Sequence, residues 1–161
     1  MKQEILVVVL ILVLIITLYQ DVKQRSIHIL LPVASLLCCL GINFSSTDLE
    51  FKDFFQNLLF IAVNIFGLIL YYSIKNKTFV NPIDSMIGLG DFLFLVSVAP
   101  LFKLKSFILF FIAGLIFSLV LHLLINIKIK SKTVPLAGYL SVFLIVDIIL
   151  SKVSNYSIVN I

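Results

Sequence analysis

The chain has 161 residues, of which 61% are hydrophobic and 12% charged, with a mean hydropathy of +1.22. Soluble domains carry about 25% charged residues, so this composition excludes an ordinary water-soluble domain and describes an all-α integral membrane protein, a single domain over residues 1–161. The net charge of +4 comes from lysines spread thinly between apolar runs, without the basic, aromatic-studded patch of a nucleic-acid surface.

Six apolar segments follow one another, over residues 5–19, 27–42, 54–74, 82–102, 107–127 and 134–151. Each is apolar around its whole circumference, as helices in lipid are. Their lengths of 15 to 21 residues favour helices over the roughly 10-residue alternating strands of a membrane barrel.

The first segment follows Lys2 and superficially resembles a signal peptide, but Thr17-Leu18-Tyr19-Gln20 is not a small-residue cleavage site. It reads as a retained helix closing on Asp21. The first two segments are short for full spans, which puts their polar flanks in the headgroup region. The second carries Pro32, expected to bend it, and the adjacent Cys38 and Cys39. Neighbouring cysteines on a helix point about 100° apart and form no easy bridge. With no Cys-x-x-Cys pair, no metal or other cofactor is expected.

Asn64, in the third segment, is expected to bond a neighbouring helix. In the fourth, the run 92–102 after Gly88-Leu89-Gly90-Asp91 has only 11 residues, roughly 16 Å of helix against a bilayer core of about 30 Å. The crossing is therefore expected to begin near Pro82 or Ile83, with Asp91 inside it and Pro100 bending it. A carboxylate at that depth costs about 2.5–3.5 kcal/mol or more and marks a functional site by default. His122, near the cytoplasmic end of the fifth segment, reads as a satisfied interfacial histidine, with a proton relay as the alternative, and Asp147 as an interfacial flank of the sixth.

Connections one, three and five carry Lys23, Arg25, Lys75, Lys77, Lys128, Lys130 and Lys132; the termini and the other connections carry Lys2, Lys52, Lys103, Lys105 and Lys152. This bias makes the first set cytoplasmic and both termini external, in a multi-pass protein of the cytoplasmic membrane. Asp21 closes segment one and Asp91 opens segment four. Two crossings separate them, so both lie on the same, cytoplasmic face. Two carboxyls within about 3–5 Å share one proton, because both cannot ionise readily. The ionised one can take a proton from water while the protonated one polarises a peptide carbonyl, which is metal-free general acid–base hydrolysis. Gly88 and Gly90 are expected to let the backbone bend, to admit a substrate strand and to loosen the start of the helix. Asp84 lies seven residues before Asp91, placed either to tune the pair or to cap the helix. The two aspartates also have plainer readings, Asp91 as the cap of its own helix and Asp21 as a polar flank.

Three patches resemble the type IV prepilin peptidase family of GxGD membrane aspartyl proteases and its archaeal preflagellin relatives. They are Asp21-Val22-Lys23-Gln24-Arg25-Ser26-Ile27, Gly88-Leu89-Gly90-Asp91 and Lys132-Thr133-Val134-Pro135-Leu136-Ala137-Gly138. The six-segment layout with aspartates on segments one and four is similar as well. The resemblance implies cleavage of pilin-like precursors between a short basic leader and an apolar helix, with Asp21 and Asp91 as the catalytic pair. Arg25, Gly88, Gly90 and Pro135 would shape the site. The chain departs from the family at His28-Ile29, where Pro-Asn is usual, and at Leu93, where Lys is frequent. It lacks the cysteine-bearing segment associated with N-methylation, so methyl transfer is not expected. A small proton- or cation-coupled transporter using Asp21 and Asp91 and a non-catalytic assembly subunit are the competing expectations.

Overall fold

Apolar runs without water to satisfy their peptide groups must bond within themselves, and they do so here as helices. A computed structural model describes residues 2–45, 50–76, 88–129 and 134–153. Its helices are α1 (Lys2–Gln24), α2 (Leu30–Ser45), α3 (Phe51–Asn76), α4 (Leu89–Val98), α5 (Leu104–Ile129) and α6 (Leu136–Val153). A 3₁₀ turn, Ala99–Leu101, follows α4. Three stretches are long and apolar enough to cross a membrane, Gln3–Gln24 in α1, Phe51–Lys75 in α3 and Leu104–Ile125 in α5. The apolar helices α2, α4 and α6 are shorter, so long and short alternate along the chain.

The short helices form the interior. α1 packs on α2 and α6, α2 on α4, and α5 on α6, while α3 touches mainly the 3₁₀ turn and α5. The buried face of α1 runs Val7, Leu10, Leu14, Thr17, Asp21, the i, i+3, i+4 spacing of one helical stripe. Asp21 thus continues a core stripe rather than flanking it. Gly114 lets α5 approach α6, since a Cβ there would stand 2.5 Å from Leu140 Cδ2. Phe94, Phe102, Phe107 and Phe110 fill the centre.

The fourth segment departs most from expectation. Gly88 is extended (φ −60°, ψ 131°) and immediately precedes the helix, so α4 begins at Leu89 with Asp91 in its first turn; Pro82 and Ile83, where the crossing was expected to begin, lie outside the described residues. Pro100 does not bend the helix but ends it, within the 3₁₀ turn. The carbonyls freed there are caught by side chains from two other helices. Asn43 Nδ2 donates to Pro100 O at 2.8 Å. Asn57 Nδ2 donates to Ala99 O at 2.9 Å and Phe102 O at 2.7 Å. The Ser35 hydroxyl donates to Ser97 Oγ at 2.8 Å, tying α2 to α4 midway.

Three smaller expectations also change. Pro32 lies in the first turn of α2, where a missing N–H removes no intrahelical bond, so no bend arises from it. Asn64 donates to Phe60 O of its own helix at 2.8 Å, not to a neighbour. Asp147 is 6% exposed and engaged inside the bundle, so it is no interfacial flank.

The asparagine clamp predicts a stability effect. Replacing Asn57 by Leu leaves two buried carbonyls short of a donor and is expected to cost about 1–2 kcal/mol. The unfolding midpoint in detergent measures it, and an unchanged midpoint would show the clamp to be dispensable.

Candidate active site

The site is built on the start of α6. An α-helix leaves its first N–H groups without intrahelical acceptors. Here Pro135, buried before the helix, has no N–H to satisfy and offers its carbonyl to Tyr139 N–H at 3.1 Å. Leu136 N–H turns back to Val134 O at 3.0 Å. The amides of Ala137 and Gly138 remain, and both are taken by carboxylates from other helices. Ala137 N–H donates to Asp91 Oδ1 at 2.8 Å, and Gly138 N–H donates to Asp21 Oδ2 at 2.6 Å.

This geometry gathers the expected pair. The two amide nitrogens belong to successive residues, less than about 4.3 Å apart along the chain. One carboxyl therefore comes from the last turns of α1 and one from the first turn of α4, and both converge on two consecutive peptide N–H groups of α6. Asp91 could have capped its own helix, but α4 has no side-chain cap bond; the carboxyl reaches across to α6 instead. The positive end of the α6 dipole faces both acids and favours negative charge there.

Glycines make the convergence possible by leaving space. A Cβ on Gly138 would lie 3.2 Å from Asp21 Oδ2 and 3.3 Å from Asp21 Cβ. One on Gly88 would lie 3.0 Å from Asp91 Oδ2. One on Gly90 would meet the Ile27 side chain at 3.2–3.4 Å, so Gly90 admits the chain that follows α1. No described glycine has positive φ; Gly88 is extended where the chain enters α4, and at all three positions the missing Cβ leaves room.

Arg25 ends α1. Its N–H donates to Asp21 O at 3.0 Å, and it is the one described non-glycine residue in the left-handed region, at φ 55°. That conformation costs an L-residue roughly 1–2 kcal/mol, a strain of the kind that clusters at functional sites. Its side chain acts electrostatically on both Asp21 and Tyr139. After it, Gln20 Oε1 accepts His28 N–H at 3.1 Å, and His28 Nδ1 accepts Leu30 N–H at 3.4 Å. His28, where the resembled family has Pro, thus serves the start of α2.

Two residues join the surroundings of the pair that the sequence did not place there. Tyr139 follows Gly138 and is 5% exposed. His122 is 9% exposed, with its ring centroid 6.4 Å from that of Tyr139. His122 is therefore buried within the bundle. The signal for Tyr139 was its place directly after the third patch; nothing in the sequence ties His122 to α6.

Tyrosine–lysine pairs mark the same end of the bundle. Lys23 Nζ donates to Tyr19 Oη at 2.6 Å near the end of α1. Lys75 Nζ stands 5.9 Å from the Tyr71 ring near the end of α3. Asp84, Lys132 and Thr133 lie outside the described residues. Among the described residues no three His, Cys, Asp or Glu side chains gather as a metal-ligand group.

Arg25→Gly should relieve the left-handed strain and raise stability by about 0.5–1 kcal/mol, read as a higher unfolding midpoint. Gly138→Ala should push Asp21 off its amide, so that the 138 N–H loses protection from hydrogen exchange while amides near Phe94 keep theirs. The chain matches no known family model, no characterised protein and no solved structure.

Proposed function

We propose that this chain is a membrane aspartyl endopeptidase of the prepilin peptidase type. The observation that carries this reading is the anchoring of Asp21 and Asp91 on consecutive amides of α6. With one proton shared between the acids, the ionised carboxylate takes a proton from a water molecule and the water oxygen attacks the peptide carbonyl carbon. The protonated acid donates to the carbonyl oxygen. Collapse of the tetrahedral intermediate breaks the C–N bond: the proton first taken from water passes to the leaving amine, one hydroxyl of the intermediate returns its proton to the carboxylate that donated earlier, and the singly protonated pair is restored. The Ala137 and Gly138 amides hold both acids in place through the cycle, so little reorganisation accompanies the charge movement. Arg25, Gly88, Gly90 and Pro135 shape the site as spacers and anchors. Neither a metal nor another cofactor enters this scheme.

The position of the pair supports a substrate cut at the membrane surface. Tyrosines and lysines gather at bilayer interfaces, and Tyr19 with Lys23 and Tyr71 with Lys75 lie at the end of the bundle that holds Asp21. In this reading six helices cross the cytoplasmic membrane, with both termini outside and the acids at the cytoplasmic boundary. The substrates are pilin-like precursors, in which a basic leader precedes an apolar helix. A coupled transporter would place its ion site near the midplane instead.

Asp21→Asn and Asp91→Asn should each reduce cleavage of a co-expressed pilin-like precursor by about 1,000-fold or more, at unchanged protein level, seen as loss of the shorter product on a gel. Cleavage that persists in either variant would refute the assignment, and proton or cation flux in proteoliposomes would replace it with transport. The wild-type kcat/KM should be bell-shaped in pH. It falls on the acid side as the base carboxylate is protonated and on the alkaline side as the acid is lost.

A further inference from the structure

One face of α3 is left without a partner beside the acid pair. Leu58, Ile61, Ala62, Ile65, Phe66 and Ile69 line a cavity of about 290 Å³, with Phe92 and Val96 of α4 opposite. The α3 residues follow the spacing of a single helical stripe, and all of the lining is apolar. The space exists because α3 is tied down near one end. Asn57 bonds Ala99 O and Phe102 O, and Phe60 packs edge-on against Phe107 and Phe111 with centroids at 6.0 and 5.6 Å. Further along, Gly67 has nothing within 4 Å of where a Cβ would stand, and Leu68, Leu70, Tyr71 and Ile74 are exposed. α3 therefore stands clear of α4 toward the end where the acids lie.

We propose that this slot seats the apolar helix of the precursor, which enters sideways from the bilayer with its N-terminal end toward Asp91; the proposal rests on the peptidase reading above. Three observations favour that occupant. The slot is continuous with the site, because its wall at that end is Phe92, the residue after Asp91. The flank on the side of α2 is closed by Ile27 against Gly90, and α6 closes the flank that holds both carboxyls. Leu58 to Ile69 spans 11 residue steps, roughly 16 Å, enough for three turns of a second helix. Charge complementarity sets the direction: the positive end of the incoming helix meets two acids, whereas a lipid acyl chain would fill the volume without using them.

Two measurements test the slot separately from the chemistry. Ala62→Trp fills it from an exposed position of α3. It should lower turnover of the full precursor at least 10-fold relative to turnover of a short peptide holding only the leader and the cleavage sequence. An unchanged ratio would overturn the slot. For the second, Cys38 and Cys39 are replaced by Ala, and Asp91→Asn holds the substrate uncut. A cysteine introduced as Ile65→Cys should then form a disulfide with a cysteine in the precursor's apolar helix. Ile116→Cys, on the outer face of α5, should not. Equal cross-linking at both positions, or labelling of position 65 by a photoactivatable phospholipid and never by the precursor, would overturn the proposal. Cleavage lost in Asp91→Asn yet undiminished in Ala62→Trp sinks the slot alone. Cleavage retained in Asp91→Asn sinks the peptidase reading, and the slot with it.

Discussion

Two peptide N–H groups at the start of α6 cannot be satisfied by their own helix, and the arrangement of the molecule follows from where they find acceptors. Ala137 takes Asp91 and Gly138 takes Asp21. Those bonds join the end of α1, the start of α4 and the start of α6 at one point. They also offset the cost of burying carboxylates, since each acid gains a charge-assisted bond and the field of a helix terminus. The same contacts serve stability and, in the proposed peptidase, chemistry, since the partners that hold the acids are backbone amides of a helix.

α4 is the element that this arrangement constrains most. It must start late enough for Asp91 to fall in its first turn, and it must stop early, at the 3₁₀ turn around Pro100. Its two ends are secured differently. The start is held by Asp91 reaching out to α6, and the finish by Asn43 and Asn57 reaching in from α2 and α3. The Ser35–Ser97 bond lies between. A short helix fastened at both ends and in the middle keeps Asp91 in register with Asp21, although the two acids lie 70 positions apart in the chain.

Much of this was legible in the sequence. The number of helices follows from the apolar segments, and the meeting of Asp21 and Asp91 follows from parity, because two helices, α2 and α3, lie between them. Pro135, Ala137 and Gly138 stand out in the sequence as a patch, and the structure shows that Ala137 and Gly138 give their amides to the two carboxylates. What remained illegible depends on tertiary contact. Hydropathy does not register that Gly88 is extended, so it does not mark the helix boundary at Leu89. Pro100 was recognised as a disturbance, but whether proline bends or ends a helix depends on acceptable partners for the freed carbonyls. Those partners, Asn43 and Asn57, sit in other helices. His122 becomes a neighbour of Tyr139 only when α5 packs on α6, and Asn64 bonds Phe60 O within its own helix.

The alternation of long and short helices carries a consequence for the surrounding lipid. α2 has 16 residues, and α4 with its turn 13, about 24 and 21 Å of rise where an average hydrocarbon core measures about 30 Å. Where the exposed face of α2 at Leu30, Val33 and Leu37 meets lipid, acyl chains must shorten or tilt to avoid leaving polar ends uncovered. A dimple of that kind draws headgroups and water inward beside the acids. Bilayer thickness then becomes a variable that acts on the hydration of the pair, and thin, short-chain lipids would be the solvent this architecture favours.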